Sequence, residues 1–329
     1  MTTLVTGATG FVGSALVRKL LERGHHVRVL VRPTADRRNL EEVAAEVMIG
    51  DLTDRASVDH AMRGVEVLFH VAADYRLWVP DPERMFAINV EGTRHMMEAA
   101  AEAGVTRIVY TSSVATLGTS KDGTPSTEDT PATAADMIGA YKRSKHAAEA
   151  LVREMVARQG LPAVVVHPST PIGPRDIKPT PTGRLVVEAA SGRMPAFVDT
   201  GLNVVHVDDV ADGHILALER GRAGQHYILG GDNLTLAQIL AIVAELSGRP
   251  APRLKMPHGA VLPLAAIAEL WAKVSGGEPF ATREGVKMAR KKMFYSSERA
   301  IRELSYRPRP PREAIADAIA WFREHGYLR

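Results

Sequence analysis

Short apolar runs alternate with longer segments in which apolar residues recur every three or four positions. Through the first half of the chain this alternation predicts βαβ units around a parallel sheet. Thr3 to Thr6 reads as a strand, and Phe11 to Leu21 as a helix with Val12, Leu16, Leu20 and Leu21 along one side. Gly24 stops that helix, and Val27 to Val31 gives the second strand. A helix from Asn39 to Glu46, a buried strand at Val47 to Ile49, a helix from a Thr53 cap to Met62 and a strand at Val65 to Val71 follow. Beyond a loop at Pro80 to Pro82, one long helix is expected from Glu83 to Ala103, then a strand at Arg107 to Tyr110. Gly118 to Ala135 reads as a functional loop, 137–158 as a helix and Ala163 to Val166 as a strand.

Five prolines between Pro168 and Pro181 mark a domain boundary. Residues 1–167 are expected to form a doubly wound, Rossmann-type α/β domain, and 168–329 a smaller α/β domain that binds substrate, with 204–220 returning to the first. Beyond the boundary, strands are expected at Val204 to Val207 and Tyr227 to Leu229. Helices are expected at Val210 to Glu219, Leu236 to Leu246, 260–274, 298–303 and 313–325.

Composition narrows the class. In 329 residues, 45% are hydrophobic and 24% charged, which excludes a disordered or collagenous chain. Lys and Arg number 41 against 38 acids, so no basic tract favours nucleic acid. The absence of cysteine removes disulfides and thiolate chemistry together. Leu4 and Val5 lead directly into glycines, without a secretory apolar core, and no run reaches the ~18 residues of a membrane span. A cytoplasmic protein is expected. Twelve histidines show no HExxH spacing, so no metal is expected, and neither a GxSxG nor a Walker A string occurs.

Thr6-Gly7-Ala8-Thr9-Gly10-Phe11-Val12-Gly13 joins a strand to a helix, the setting of a dinucleotide-binding turn. Its glycines allow a tight turn, close approach of a pyrophosphate and close helix packing, with the phosphate on the helix N-terminus. At the end of the second strand stands Arg32 rather than an acid, with Arg37 and Arg38 behind it and Asp36 expected to cap the next helix. A guanidinium there suits a 2′-phosphate, so NADP is expected, with NAD as the alternative. Asp51 either takes the adenine amino group or closes a local turn before Thr53.

Tyr141 and Lys145 stand at i and i+4 of a helix, where a nearby ammonium favours phenolate and lets the phenol exchange a proton with an alcohol. Thr111-Ser112-Ser113 ends a strand at the carboxyl edge of the sheet, where a hydroxyl can donate to a substrate oxygen. Substrate contacts are expected from loops on that edge, including Tyr75 to Trp78, Met137 and Arg175, the last for an anionic group. The apolar stretch 260–274 reads as a core or dimer helix, or as a lid or membrane-touching face.

With TGATGFVG, Asp51-Leu52, Asn89-Val90-Glu91-Gly92-Thr93, TSS and YKRSK in this order, the chain resembles the extended short-chain dehydrogenase/reductases. Through His70 to Trp78, Pro168 to Pro174 and Val205 to Val210 it looks most like hopanoid-associated sugar epimerases and dihydroflavonol-reductase-like proteins. The resemblance implies Tyr141 as general acid/base and Lys145 on the nicotinamide ribose. It implies Ser113 on the substrate oxygen, with Ser112 as the fallback. It further implies Gly7, Thr9, Gly10, Phe11, Val12 and Gly13 around the pyrophosphate, Arg32 on the 2′-phosphate, Asp51 and Leu52 on the adenine, and Ala72 on the cofactor backbone. Pro168 and Ser169 would flank the nicotinamide, and Asn89 would fix the loop carrying Ser113. The implied activity is hydride transfer at a secondary-alcohol or ketone carbon, on a small-molecule or hopanoid-lipid-linked substrate, by a homodimer or a protein at the inner membrane face. A reductase, an epimerase and a non-catalytic nucleotide sensor are the three classes that these motifs leave open.

Overall fold

The apolar runs of the first half become one seven-stranded parallel sheet in the computed structural model, which describes residues 1–76, 78–79, 81–120, 123–275, 279 and 282–328. Its first six strands are β1 (Thr2–Thr6), β2 (His26–Val31), β3 (Glu46–Ile49), β4 (Val67–His70), β5 (Arg107–Thr111) and β6 (Ala163–Pro168). After β7 (Thr170–Ile172), β8 (Ala196–Val198) and β9 (Gly201–His206), the seventh strand is β10 (His226–Leu229), beside β6. The spatial order β10-β6-β5-β4-β1-β2-β3 reverses direction between β4 and β1. At such a switch point the loops leaving the two strands diverge and open a crevice for a ligand.

Helices cover both faces, which is why the central strands read as unbroken apolar runs. On one face α1 (Phe11–Glu22) buries Leu16, Val17 and Leu20 against the sheet, beside Val210 and Ile215 of a later helix, Val207–Arg220. On the other lie α2 (Arg55–Met62), α3 (Pro82–Phe86), α4 (Gly92–Glu102) and α5 (Gly139–Gln159), with Val58, Met96, Met97 and Val152 in a second core. Among the remaining helices, α6 (Pro181–Ala190), α8 (Leu236–Ser247) and α12 (Pro311–Glu324) enclose a third core over β7 and β9, while α7 is the Val207–Arg220 helix. β9 is the centre of the second sheet, antiparallel to β11 (Asp232–Thr235) and parallel to β7 and β13 (Lys292–Met293). A short parallel pair, β8 with β12 (Leu254–Met256), and the helices α9 (His258–Ser275), α10 (Arg283–Ala289) and α11 (Glu298–Leu304) complete the chain.

Several expectations are corrected. The helix from Asn39 to Glu46 is a single 3₁₀ turn at Arg38–Leu40, because the buried Asn39 amide is drawn to the carbonyls of Thr9 and Arg175, 3.2 Å from each. β3 is a sheet edge rather than a buried strand, with Val47 and Ile49 exposed. Asp54, not Thr53, caps α2, its carboxylate accepting the Ala56 N–H at 3.2 Å, while the Thr53 side chain is turned back to Asp51. The long helix from Glu83 is interrupted by a π turn at Ala87–Glu91 that brings Asn89 inward. Among the described side chains of α9 the buried ones are Ala265, Ala268, Glu269 and Ala272, while Leu264, Ile267, Leu270 and Trp271 are exposed, so this stretch is not a core helix. Leu77 and Pro80, and Lys121 and Asp122 of the long loop, lie outside the described residues.

One buried acid makes the fold pH-sensitive. Asp176 is 2% exposed, and its Oδ2 accepts both the backbone N–H and the hydroxyl of Thr180, each at 2.8 Å. Burial outweighs those bonds and pushes the carboxyl up to about 6. Because this folded-state value lies above the unfolded one near 3.9, the ionised side chain opposes folding. The penalty is absent below about pH 4, grows through pH 6 and is full above it. Asp176→Asn is therefore expected to stabilise the protein by about 2 kcal/mol at pH 8 and to give no advantage at pH 4. Thermal melts at the two pH values check this, and matching midpoints at pH 8 would contradict it.

Candidate active site

The crevice at the switch point is floored by the loop after β1. Gly7 has φ +73°, and a Cβ there would stand 2.8 Å from the backbone nitrogen of Ala72, at the exit of β4. A Cβ on Gly13 would come 2.1 Å from the Gly7 carbonyl oxygen, so bare backbone is required at both. Gly10 caps α1 without a side-chain hydrogen bond, which leaves the helix's first N–H groups to an anion. Phe11 is buried and Val12 half-buried behind this loop, and the Thr9 carbonyl is held by Asn39. This glycine cradle and uncapped helix start fit a dinucleotide pyrophosphate.

Thr6 locks the cradle to β4. Its Oγ1 accepts the N–H groups of Val71 and Ala72, both at 3.1 Å, and donates to His70 Nδ1 at 2.8 Å. The His70 proton therefore sits on Nε2 and goes to Thr93 Oγ1, 3.0 Å away, whose own proton goes to the Asn89 carbonyl. Burial lowers the His70 pKa to about 3, so this chain is neutral.

Arg32 is exposed at the end of β2, and its charge acts on Asp74 across the crevice. Asp36 receives the backbone N–H and guanidinium of Arg38 and does not reach the strand end. Asp51 closes the local turn, its Oδ1 accepting from the N–H and hydroxyl of Thr53 at 2.9 and 2.8 Å. Leu52 packs on Gly92, and its carbonyl meets His95 Nδ1 at 2.9 Å.

α5 carries Tyr141, Lys145 and Glu149 along one side, one turn apart. Lys145 is buried, and its ammonium donates to the Thr111 carbonyl at 2.7 Å and to the Tyr110 hydroxyl at 3.3 Å. It does not hydrogen-bond Tyr141, which corrects the expectation that it lowers that phenol's pKa. Burial instead pushes the Tyr141 phenol above its ordinary value, opposed by the Ser113 hydroxyl beside it. Burial also lowers Lys145, to about 8, against the pull of Glu149.

Ser113 and Ser112 part company at the end of β5. Ser113 Oγ accepts the Ala115 N–H at 3.1 Å, so its own proton is available to a substrate oxygen. Ser112 turns inward and donates to Glu149 Oε2 at 2.5 Å, facing away from the crevice. Asn89 does not hold the Ser113 loop, as the resemblance implied. Its amide bridges the Asp74 carbonyl and Ser144 Oγ, both at 2.9 Å, and so ties the loop after β4 to α5. Pro168 ends β6 beside Leu229, and Ser169 Oγ donates to the Asn203 carbonyl at 2.9 Å.

A cleft of about 380 Å³ opens beside the start of α5, lined by Trp78, Ala140, Arg143, Glu269, Glu284 and Lys287 among others. Trp78 thus lines it, whereas Tyr75 is exposed and Met137 is buried. Arg175 does not line it; its guanidinium pairs with Asp208 and its carbonyl receives Asn39, on the α1 side of the cradle. Arg143 adjoins Lys142 in the YKRSK string, but nothing in the sequence signals that Glu269, Glu284 and Lys287 would reach it from α9 and α10. Sequence spacing equally gives no hint that Glu149, His167 and His226 gather within 4.8 Å of one another; the Arg153 guanidinium meets both Glu149 and His226 there.

Comparison with known proteins agrees with this geometry. The model of the NAD dependent epimerase/dehydratase family matches residues 3–230. The chain is 44% identical to a putative dihydroflavonol 4-reductase of Synechocystis sp., over 99% of this chain and 95% of the relative. It is 37% identical to sterol demethylase protein B of Methylococcus capsulatus, over the whole of both chains. The crystal structure of gox2253, at 55% identity, superposes with a TM-score of 0.90 over 100% of this chain and 99% of that one.

Proposed function

The chain belongs to the NAD-dependent epimerase/dehydratase family, of the extended short-chain dehydrogenase/reductase type, and from that premise we propose that it is an NADPH-dependent reductase of a ring ketone on an apolar substrate. The observation that carries the reading is the meeting of the Tyr141 phenol and the Ser113 hydroxyl at the carboxyl edge of the sheet, beside the glycine cradle. When bound, the nicotinamide supplies the hydride. Ser113 keeps its proton and donates a hydrogen bond to the carbonyl oxygen, holding it as negative charge builds there. Tyr141, protonated at neutral pH because burial raises its pKa, delivers a proton to that oxygen. Lys145, whose ammonium is turned to the Thr111 carbonyl rather than to Tyr141, would hold the cofactor ribose. The names of the two relatives, a putative dihydroflavonol 4-reductase and sterol demethylase protein B, support a polycyclic substrate.

The family's epimerases favour a second reading, in which NAD stays bound and a sugar-derived group on a hopanoid lipid is epimerised. Mass spectrometry of the nucleotide released from the purified protein separates the two, since retained NAD would sink the reductase. A titration with both cofactors tests Arg32 directly. Arg32→Ser is expected to weaken NADPH by about 10- to 100-fold and leave NADH unchanged; equal losses for both would refute the 2′-phosphate role. A nucleotide sensor would not need Tyr141. Among the described residues no helix is long and apolar enough to cross a membrane. For a lipid-linked substrate we assign the exposed stripe of Leu264, Ile267, Leu270 and Trp271 to the membrane surface, and binding to vesicles tests this against a homodimer contact.

A further inference from the structure

Behind the Ser113 turn lies a buried polar cluster that the hydride-transfer reading leaves unused. Its centre is Glu149, 6% exposed and one helical turn beyond Lys145. Oε2 accepts from Ser112 Oγ at 2.5 Å and lies 2.7 Å from Thr116 Oγ1, whose single proton is shared with the Ser113 carbonyl at 2.8 Å. Oε1 is gripped by Arg153, through Nε at 2.8 Å and Nη2 at 2.7 Å. His167, fully buried at the end of β6, sets its Nδ1 3.2 Å from the Ser113 carbonyl and 3.7 Å from Glu149 Oε2. Both of those groups are acceptors, so the single proton of the neutral ring belongs on Nδ1. His167 Nε2 is buried without a partner.

The cluster therefore holds the backbone and the inner hydroxyl of the Ser112–Thr116 turn and leaves only Ser113 Oγ facing the crevice. The titratable groups around Lys145 are His70 from β4, Tyr110 from β5, His167 from β6, and Tyr141 and Glu149 from its own helix. Burial keeps the two histidines and the two phenols uncharged, which leaves Glu149 as the ionised partner among the described residues. Burial works against that charge too, but the Arg153 guanidinium and the hydroxyls of Ser112 and Thr116 hold the carboxyl below the ordinary range.

We propose that Glu149 is a positioning residue with two duties: it clamps the turn that presents Ser113, and, one helical turn beyond Lys145 on the same side of α5, it places a negative charge on the lysine's side of the helix. The proposal rests on the reading of Ser113, Tyr141 and Lys145 as the reacting groups.

The two duties separate experimentally. For Glu149→Gln, the pH above which NADPH affinity falls is expected to move down by about half a unit or more, as Lys145 loses its partner. Amide hydrogen exchange in 112–117 should quicken, and turnover of a ketone should drop on the order of 10²-fold. Glu149→Asp keeps the charge but shortens the reach, so the pH midpoint should return towards that of the unaltered protein while exchange stays fast. A Glu149→Gln protein with an unmoved pH midpoint and unchanged turnover would overturn the proposal. If that variant does not fold, Thr116→Val removes one donor from outside α5; unchanged exchange in 112–117 would then overturn the clamp. Failure to bind either nicotinamide cofactor would instead strike the reductase reading, while the exchange measurement still reports on the clamp.

Discussion

Replacing Tyr141 with phenylalanine is expected to lower turnover by 10²- to 10⁴-fold, the range of a positioned general acid, and to leave the dissociation constant for NADPH within about threefold. The side chain keeps its ring and loses one hydroxyl, so the helix and its packing are preserved. The substrate oxygen then keeps Ser113 as a hydrogen-bond donor but has no proton source. Stopped-flow and steady-state rates at 340 nm, with fluorescence titration of the cofactor, measure both quantities. Turnover within tenfold of the unaltered protein would remove Tyr141 from the mechanism.

The second large effect is conformational. Gly13→Ala places a methyl 2.1 Å from the Gly7 carbonyl oxygen, a contact that backbone on both sides must absorb. Loss of measurable nucleotide binding and destabilisation of about 3 kcal/mol are expected. Gly24→Ala is the control. That residue also has positive φ, +77°, but a Cβ there meets nothing within 4 Å. It should cost about 1 kcal/mol and bind cofactor normally. If Gly13→Ala binds NADPH as tightly as Gly24→Ala does, the close approach at the cradle is not what the nucleotide needs.

What the sequence discloses and what it hides follow from distance along the chain. The glycine turn, the strands beside it and the i, i+4 spacing of Tyr141 and Lys145 are local, and each is written in fewer than ten consecutive residues. The direction of Lys145 is not local. Its ammonium is drawn to the Thr111 carbonyl, 34 residues away in sequence, rather than to its neighbour on the helix. Asn39 illustrates the same override, since contacts with Thr9 and Arg175 defeat a plausible helical pattern. α6 lies hidden beneath the proline-rich stretch because Pro181, a breaker elsewhere, occupies its first turn, where no N–H is needed and Thr180 caps it. α9 looks like a core helix because its large apolar residues outnumber its polar ones. It buries alanines instead, and only the packed structure reveals which side turns outward. The cleft is least legible, as its walls come from four separate segments.

The placement of β10 has a consequence for synthesis. This strand completes the main sheet, yet it follows β9, the central strand of the other one. A nascent chain emerging from the ribosome must expose residues up to Leu229 before His167 and Pro168 gain their outer neighbour. Until then β6 is an open edge. The two halves are thus threaded into each other in time as well as in space, and a fragment ending near Pro168 should be prone to aggregate through that bare strand.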